Sequence, residues 1–255
     1  MKTVLLALSL VVSAQQRDWR AEMKQSLDRL MTSEKKLEDF GFSRRTHRKE
    51  MNADGSVKKE ERLVLRRELF EGDFVTFAVE KNGVPISAAA RTDAEAQVRA
   101  DRRSGKPRGR ASGRSADDAW IEEFPEALAY TYEGDEAIND RKAWVLRCEP
   151  RPGYKPKNLR AKVFEKMRGK VWIDQAEKDL VRVDAEMFDS VSVGFGVLGK
   201  IDKGTRFNLE RIRTSEGVWL TAKTNVRFAV RIMLFKYLFN EIVSETFDYR
   251  LLRSR

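Results

Sequence analysis

From Asp18 to Phe40, residues Trp19, Met23, Leu27, Leu30, Met31 and Leu37 recur at three- and four-residue intervals among charged neighbours. That spacing predicts one amphipathic helix, ending near Gly41, a residue suited to a left-handed C-terminal position. The period then switches to two. FSRRTHRKEM and SVKKEERLVLRREL flank NADG, with turn chemistry at Asp54-Gly55, and predict a hairpin. Leu63, Leu65 and Leu69 share one parity, and Val75, Phe77 and Val79 share one in the following strand, which makes three neighbouring antiparallel strands.

Residues 87–103 return to helical spacing and are rich in Ala and charge. The stretch 98–115, VRADRRSGKPRGRASGRS, has too little apolar surface to order itself and is expected to be a flexible basic loop. It leads into ADDAWIEEFPEALAY, a short helix with Trp120, Ile121, Phe124 and Leu128 on one side. A mobile loop feeding an apolar helix is the shape of a lid. Two strands follow around Gly134 and Asn139-Asp140.

In GKVWIDQAEKDLVRVDAEMF the apolar residues Val171, Ile173, Val181, Val183, Ala185 and Met187 all fall on odd positions, with Arg182, Asp184 and Glu186 between them. One face is expected in a core and the other in water. TAKTNVRFAVRI keeps the same strict alternation, and a last strand runs from Phe239 to Tyr249. No helix longer than one turn fits after Gly169.

The first residues, MKTVLLALSLVVSAQQ, carry one Lys, an apolar run too short to span a bilayer, and small residues at Ser13 and Ala14. They are read as a signal peptide over residues 1–14, leaving 15–255 as a single domain. Cys148 is the sole cysteine, so neither an intramolecular disulfide nor a lipid-anchoring N-terminal cysteine is available. A periplasmic protein, monomeric and able to touch a membrane peripherally, is the expectation. The formal net charge of +10 would suggest nucleic acid in a cytosolic chain, but export redirects it toward headgroups or an acidic partner, and no nucleic acid is expected. At 41% hydrophobic residues the chain can build a core despite being 35% charged.

Catalytic templates fail on residue supply. His47 is the only histidine, sits among Arg44, Arg45, Arg48 and Lys49, and has no G-x-S-x-G serine to pair with. There is no H-E-x-x-H or C-x-x-C, and adjacent carboxylates such as Glu60-Glu61 point to opposite faces of a strand. GFGVLG at 194–199 fits G-x-G-x-x-G, yet the sequence after it alternates and is broken by glycine, so it cannot open the helix a dinucleotide needs. It reads instead as strand, with Gly194 and Gly196 marking a bend in the sheet. No enzyme activity, metal or cofactor is expected.

Gly169 to Met187, GKVWIDQAEKDLVRVDAEM, followed by EGVWL at Glu216 to Leu220, resembles the LolA/LolB superfamily of periplasmic lipoprotein carriers, with its lipoprotein-sorting and RseB-type relatives. The resemblance implies an α+β, mainly β fold: an unclosed antiparallel barrel of about eleven strands, with an N-terminal helix and lid helices over its concave apolar face. It also implies a non-enzymatic carrier whose partner is a lipid or a lipoprotein acyl chain. Leu63, Leu65, Val75, Phe77, Val171, Ile173, Val181 and Val183 are the expected cavity wall, with Trp120, Ile121 and Phe124 as lid. The alternative is a cargo-free envelope sensor or structural protein that acts by contact with an envelope protein partner.

Overall fold

A computed structural model describes residues 17–52, 54–104, 116–193, 199–232 and 236–253. The expected signal peptide, most of the expected basic loop (105–115) and the bend expected at 194–198 lie outside the described residues. The first helix, α1, spans Trp19–Lys36. The Asp18 side chain caps it by accepting from the backbone N–H groups of Arg20 and Ala21 at 3.1 and 3.2 Å.

The helix stops before Gly41. A 3-10 turn, Leu37–Asp39, leads straight into strand β1, Phe40–Met51, and Gly41 belongs to that strand. A Cβ on Gly41 would come within 2.9 Å of the Arg67 carbonyl oxygen. Gly41 therefore answers to a close backbone approach and does not cap the helix.

β1 is followed by β2 (Val57–Phe70), β3 (Asp73–Lys81) and the short β4 (Val84–Pro85). Helix α2, Ala89–Ser104, comes next. The expected loop thus keeps helical form for its first seven positions, 98–104. A 3-10 run, Ala116–Glu123, and the one-turn helix α3, Phe124–Ala127, replace the single short helix expected there. Then come β5 (Leu128–Ile138), β6 (Arg141–Pro150), a 3-10 run at Leu159–Lys166, β7 (Met167–Asp174) and β8 (Leu180–Met187). The chain ends in β9 (Val191–Val193), β10 (Gly199–Ile201), β11 (Arg206–Arg213), β12 (Trp219–Ile232) and β13 (Lys236–Leu251).

All thirteen strands belong to one antiparallel sheet in the order β4-β3-β2-β1-β13-β12-β11-β8-β7-β6-β5, with β10 pairing β12 and β9 pairing β10. β4 and β5 do not pair, so the barrel is unclosed. Three of the thirteen, β4, β9 and β10, are pieces of two or three residues, too short for a periodic signal, and ten longer strands remain against the eleven or so expected. β9 and β10 pair antiparallel with Val193 opposite Gly199, so the strand-to-helix setting of a dinucleotide loop is not met around 194–199.

α1 crosses this sheet on its inner face. Its N-terminal end lies by β5 and β6, where Trp19 stacks on Tyr132 and meets Trp144 edge-on. Its C-terminal end reaches β12, where the Thr221 hydroxyl donates to Glu34 at 2.8 Å. Eighteen residues at 1.5 Å each give about 27 Å. Five strand intervals of about 4.8 Å need about 24 Å, so the helix is long enough to lie across six strands.

Curvature comes from bulges and a missing side chain. At Gly169, opposite Ala185, a Cβ would collide with the Asp184 carbonyl. Register shifts occur at Gly41/Ser43, Val64/Leu65, Tyr132/Gly134, Trp172/Ile173 and Glu210/Arg211. Each adds local twist and bends its strand.

Candidate functional site

Pairing places residues on faces. Leu63, Thr46, Ser244, Thr224, Leu209, Val183, Val171 and Leu146 stand directly opposite one another in successive strands from β2 to β6. This row runs along the inner face. Its β11-to-β6 end is wholly aliphatic, and its β1, β13 and β12 members all carry hydroxyls.

The aliphatic end is sealed. Met23 and Leu27 of α1 pack with Leu146, Val171, Ile173, Val183, Ala185 and Met187 in the main core. Trp120, Ile121 and Phe124 pack against the same core. The Trp120 and Phe164 rings lie 5.4 Å apart and those of Phe124 and Phe164 5.6 Å apart, so the expected lid is anchored on aromatic contacts from the Leu159–Lys166 run. The Tyr130 hydroxyl donates to the Phe124 carbonyl at 2.8 Å, fixing α3 to β5.

A buried guanidinium pins α1 to the sheet. Arg211 has no exposed side-chain surface. It donates to Asp179 at 3.2 Å, to the Leu180 carbonyl at 2.9 Å, to the Trp219 carbonyl at 2.7 Å and to the Ser33 hydroxyl of α1. Burial pushes the Asp179 carboxyl above its ordinary range, against the pull of Arg211, and holds the Arg211 guanidinium below its own. Arg211 follows Phe207 and Leu209 at the same parity, so a charge on an apolar stripe was the sequence sign of this buried ion.

The other end of the inner face is open. Leu63, Leu65, Val226, Phe228, Val230 and Ile242 are half-buried, and Phe207 is 36% exposed. Thr46 and Ser244 hydroxyls pair at 3.3 Å, and Arg44 Nε donates to the Thr246 hydroxyl at 3.1 Å. This strip, the trough of the curled sheet, carries apolar side chains and a row of hydroxyls, with Arg48 and Glu61 in line with Ile242 on the same face. A small cluster of Leu37, Phe40, Phe42 and Leu220 closes the end nearest α1. At that end Arg67 is buried, with its guanidinium 4.1 Å from the Phe74 ring centre.

A separate groove of about 750 Å³ runs along the seam between α1 and the lid. Leu27, Met31, Pro125 and Tyr154 form its apolar part, and Lys24, Asp28, Glu122, Arg151, Lys155 and Lys157 are charged members of its lining. Its size is that of a small-molecule pocket. Glu123 staples the seam, accepting from the Tyr154 hydroxyl at 2.6 Å and from the backbone N–H groups of Lys157 and Asn158, each at 2.9 Å.

The eight residues expected to form one wall occupy three environments. Leu63 and Leu65 line the open trough, and Val171, Ile173 and Val183 belong to the sealed core. Val75 and Phe77 point the other way. Val64 pairs Glu80 but Leu65 pairs Ala78, so Val79 is an extra residue that reverses the parity of β3. Phe77 is then opposite Arg66 on the outer face, beside α2, whose Arg91 lies over the Phe77 ring. Val181 is displaced the same way: Trp172 pairs Arg182 and Ile173 pairs Leu180, which leaves Val181 to pack with Trp172 and Trp219 in a second, outer cluster.

The remaining singled-out residues lie away from the trough. His47 Nε2 is 2.6 Å from Glu60 Oε1 on the outer face. Cys148 is buried in the main core, where burial pushes its thiol well up and leaves it unreactive. Much of the outer-face charge is paired, as in Arg168–Glu186 at 2.7 Å, Arg182–Glu210 at 3.1 Å and Lys223–Glu245 at 3.2 Å. Among the described residues no helix is long and apolar enough to cross a membrane.

Fold and site together define an open, curled antiparallel sheet with helices across part of its inner face and a strip of mixed apolar and polar side chains along the rest. No family model and no curated protein matches the chain. Among solved structures it is similar to a putative outer membrane lipoprotein-sorting protein domain from Vibrio parahaemolyticus, at 15% identity over 89% of this chain and 92% of that one, with a TM-score of 0.29. It is similar to a LolA superfamily protein from Nitrosomonas europaea, at 10% identity over 90% and 94%, with a TM-score of 0.28. A third likeness is to the MucA/MucB complex structure of Pseudomonas aeruginosa, at 10% identity over 91% and 99%, with a TM-score of 0.26.

Proposed function

We propose that this chain is a non-enzymatic, periplasmic carrier that holds a lipid or lipoprotein acyl chain in the open trough. One observation carries the reading: apolar side chains on the inner face of β2, β12 and β13 stay half-buried, while the same face of β5–β8 is covered by α1 and the lid. An acyl chain laid on Leu63, Leu65, Val226, Phe228 and Ile242 would remove that surface from water at about 25 cal/mol per Å², with no reacting group required. The sequence resemblance at Gly169–Met187 accords with this use. Trp120, Ile121 and Phe124 would then hold the sealed half shut, and Val171, Ile173 and Val183 would anchor the same face beside the trough.

Native mass spectrometry with organic extraction, on protein purified from its own envelope, tests the reading. Stoichiometric co-purifying lipid is expected, and its repeated absence would sink the carrier. A cargo-free protein that acts by contact with an envelope partner is the second reading. The complete burial of Met23, Leu146 and Ile173 favours it, because the space under α1 is filled by the chain's own residues.

A further inference from the structure

Arg67 is a charged group in a place that costs free energy. It lies on the inner face of β2, opposite Phe42 of β1, and is 7% exposed. A buried guanidinium ordinarily faces a carboxylate that offsets its desolvation. For Arg67 the nearby carboxylates, Glu38 and Asp39, offset only part of that cost. Its Nη2 donates to the Glu38 carbonyl at 3.2 Å, and its buried Nε has no acceptor among the described residues. Its guanidinium also lies over the Phe74 ring, at 4.1 Å, and the Phe42 ring, at 5.9 Å.

Its charged neighbours make the imbalance worse. Arg44 lies over Phe42 at 4.9 Å, and Arg253 lies over Phe74 at 5.2 Å. The three guanidinium groups therefore converge on two rings. Burial, the larger effect, together with Arg253 and Arg44, draws the Arg67 guanidinium down to about 10, although Glu38 and Asp39 partly offset them. Arg44 spends Nε on Thr246 and is half-buried beside Leu65, its cross-strand partner in the trough.

We infer that Arg44 and Arg67 form a binding site for one anionic group, a carboxylate or a phosphate ester, at the closed end of the trough. The ligand is then an anionic amphiphile, with its charged group against the two guanidiniums and its chain along Leu63, Leu65, Phe228 and Ile242. This rests on the carrier reading and adds the class of headgroup. An oxygen anion would give Arg67 Nε the acceptor it lacks, and the guanidinium fork suits carboxylate and phosphate alike.

The test compares dodecanoate, dodecyl phosphate, dodecanol and inorganic phosphate as ligands of the full chain, each below its aggregation limit, by titration calorimetry. Both anionic amphiphiles are expected to bind about 10-fold or more tighter than dodecanol, as hydrogen bonds to a charged group imply. Arg67→Gln and Arg44→Gln are each expected to erase most of that preference while leaving dodecanol affinity in place. Arg44→Gln removes a half-exposed side chain and so reports even where Arg67→Gln does not fold.

Equal binding of all three chains overturns the anion site and leaves the carrier standing. Failure of every chain to bind overturns both. Inorganic phosphate binding as tightly as dodecyl phosphate overturns the amphiphile and assigns the arginines to a free anion. Preference retained in both variants places the charge-reading group elsewhere and overturns this assignment.

Discussion

The two halves of the sheet are built from neighbouring antiparallel strands with the same alternation, yet their inner faces do different work. Under α1, the row Leu209, Val183, Val171 and Leu146 is aliphatic throughout and shut away from water. Continued into β12, β13 and β1, the same row becomes Thr224, Ser244 and Thr46, with aliphatic walls left half in water. Coverage decides the difference. An 18-residue helix is long enough to lie across six strands of the thirteen, from β5 as far as one end of β12. A sealed half that supplies stability and an open half that supplies binding follow from that geometry.

The largest effects should come from the sealed half. Arg211→Ala leaves Asp179 buried without its counter-ion and should cost about 3–5 kcal/mol in urea denaturation, whereas a surface arginine such as Arg182 should cost less than about 1 kcal/mol. Loss of about 1 kcal/mol or less at Arg211 would mean that α1 is held chiefly by Met23 and Leu27. Next, Ile173→Ala should cost about 2–5 kcal/mol, because its side chain is fully buried. Leu65→Ala should cost about 1 kcal/mol or less but weaken acyl-chain binding several-fold. Equal stability losses at the two positions would erase the distinction between the halves.

The smallest effect concerns pH. Burial alone would raise the Asp174 carboxyl, but hydrogen bonds from Arg141 at 2.7 and 2.9 Å and from the Glu177 and Ala176 amides outweigh it and hold the carboxyl below its ordinary range. A depressed native value stabilises the fold fully above the unfolded carboxylate pKa of about 3.9, and that stability fades as pH falls through the native value. Asp174→Asn should flatten this acid limb of the stability curve. An unchanged acid limb would assign it to other carboxylates.

Much of the fold was legible because period tells helix from strand. The apolar stripe of α1, the hairpins around Asp54-Gly55 and Asn139-Asp140 and the alternation from Val171 to Met187 predicted their elements and a mainly β chain, while the unclosed barrel was implied by the resemblance at Gly169–Met187 and Glu216–Leu220. Faces were harder to read, because parity holds only until an inserted residue reverses it. Val79 and Val181 are such residues, and an apolar bulge looks no different from an apolar rung in the sequence. Gly41 and Gly169 were visible as glycines, but the backbone that approaches each comes from distant sequence. Arg67 and Arg211 stood on stripes otherwise apolar, and that mismatch was the readable sign of both buried charges.

The arrangement offers its own reporters, since the five tryptophans, Trp19, Trp120, Trp144, Trp172 and Trp219, all belong to the sealed half and its outer cluster. Leu65→Trp adds one to the open trough. Titration with a fatty acid brominated along its chain, a short-range quencher, should then dim the added tryptophan and leave the native five at their original intensity in the parent protein. Quenching of the native tryptophans with the Leu65→Trp signal untouched would place the chain beneath α1 and the lid, and would contradict the division of the sheet into a sealed half and a binding half.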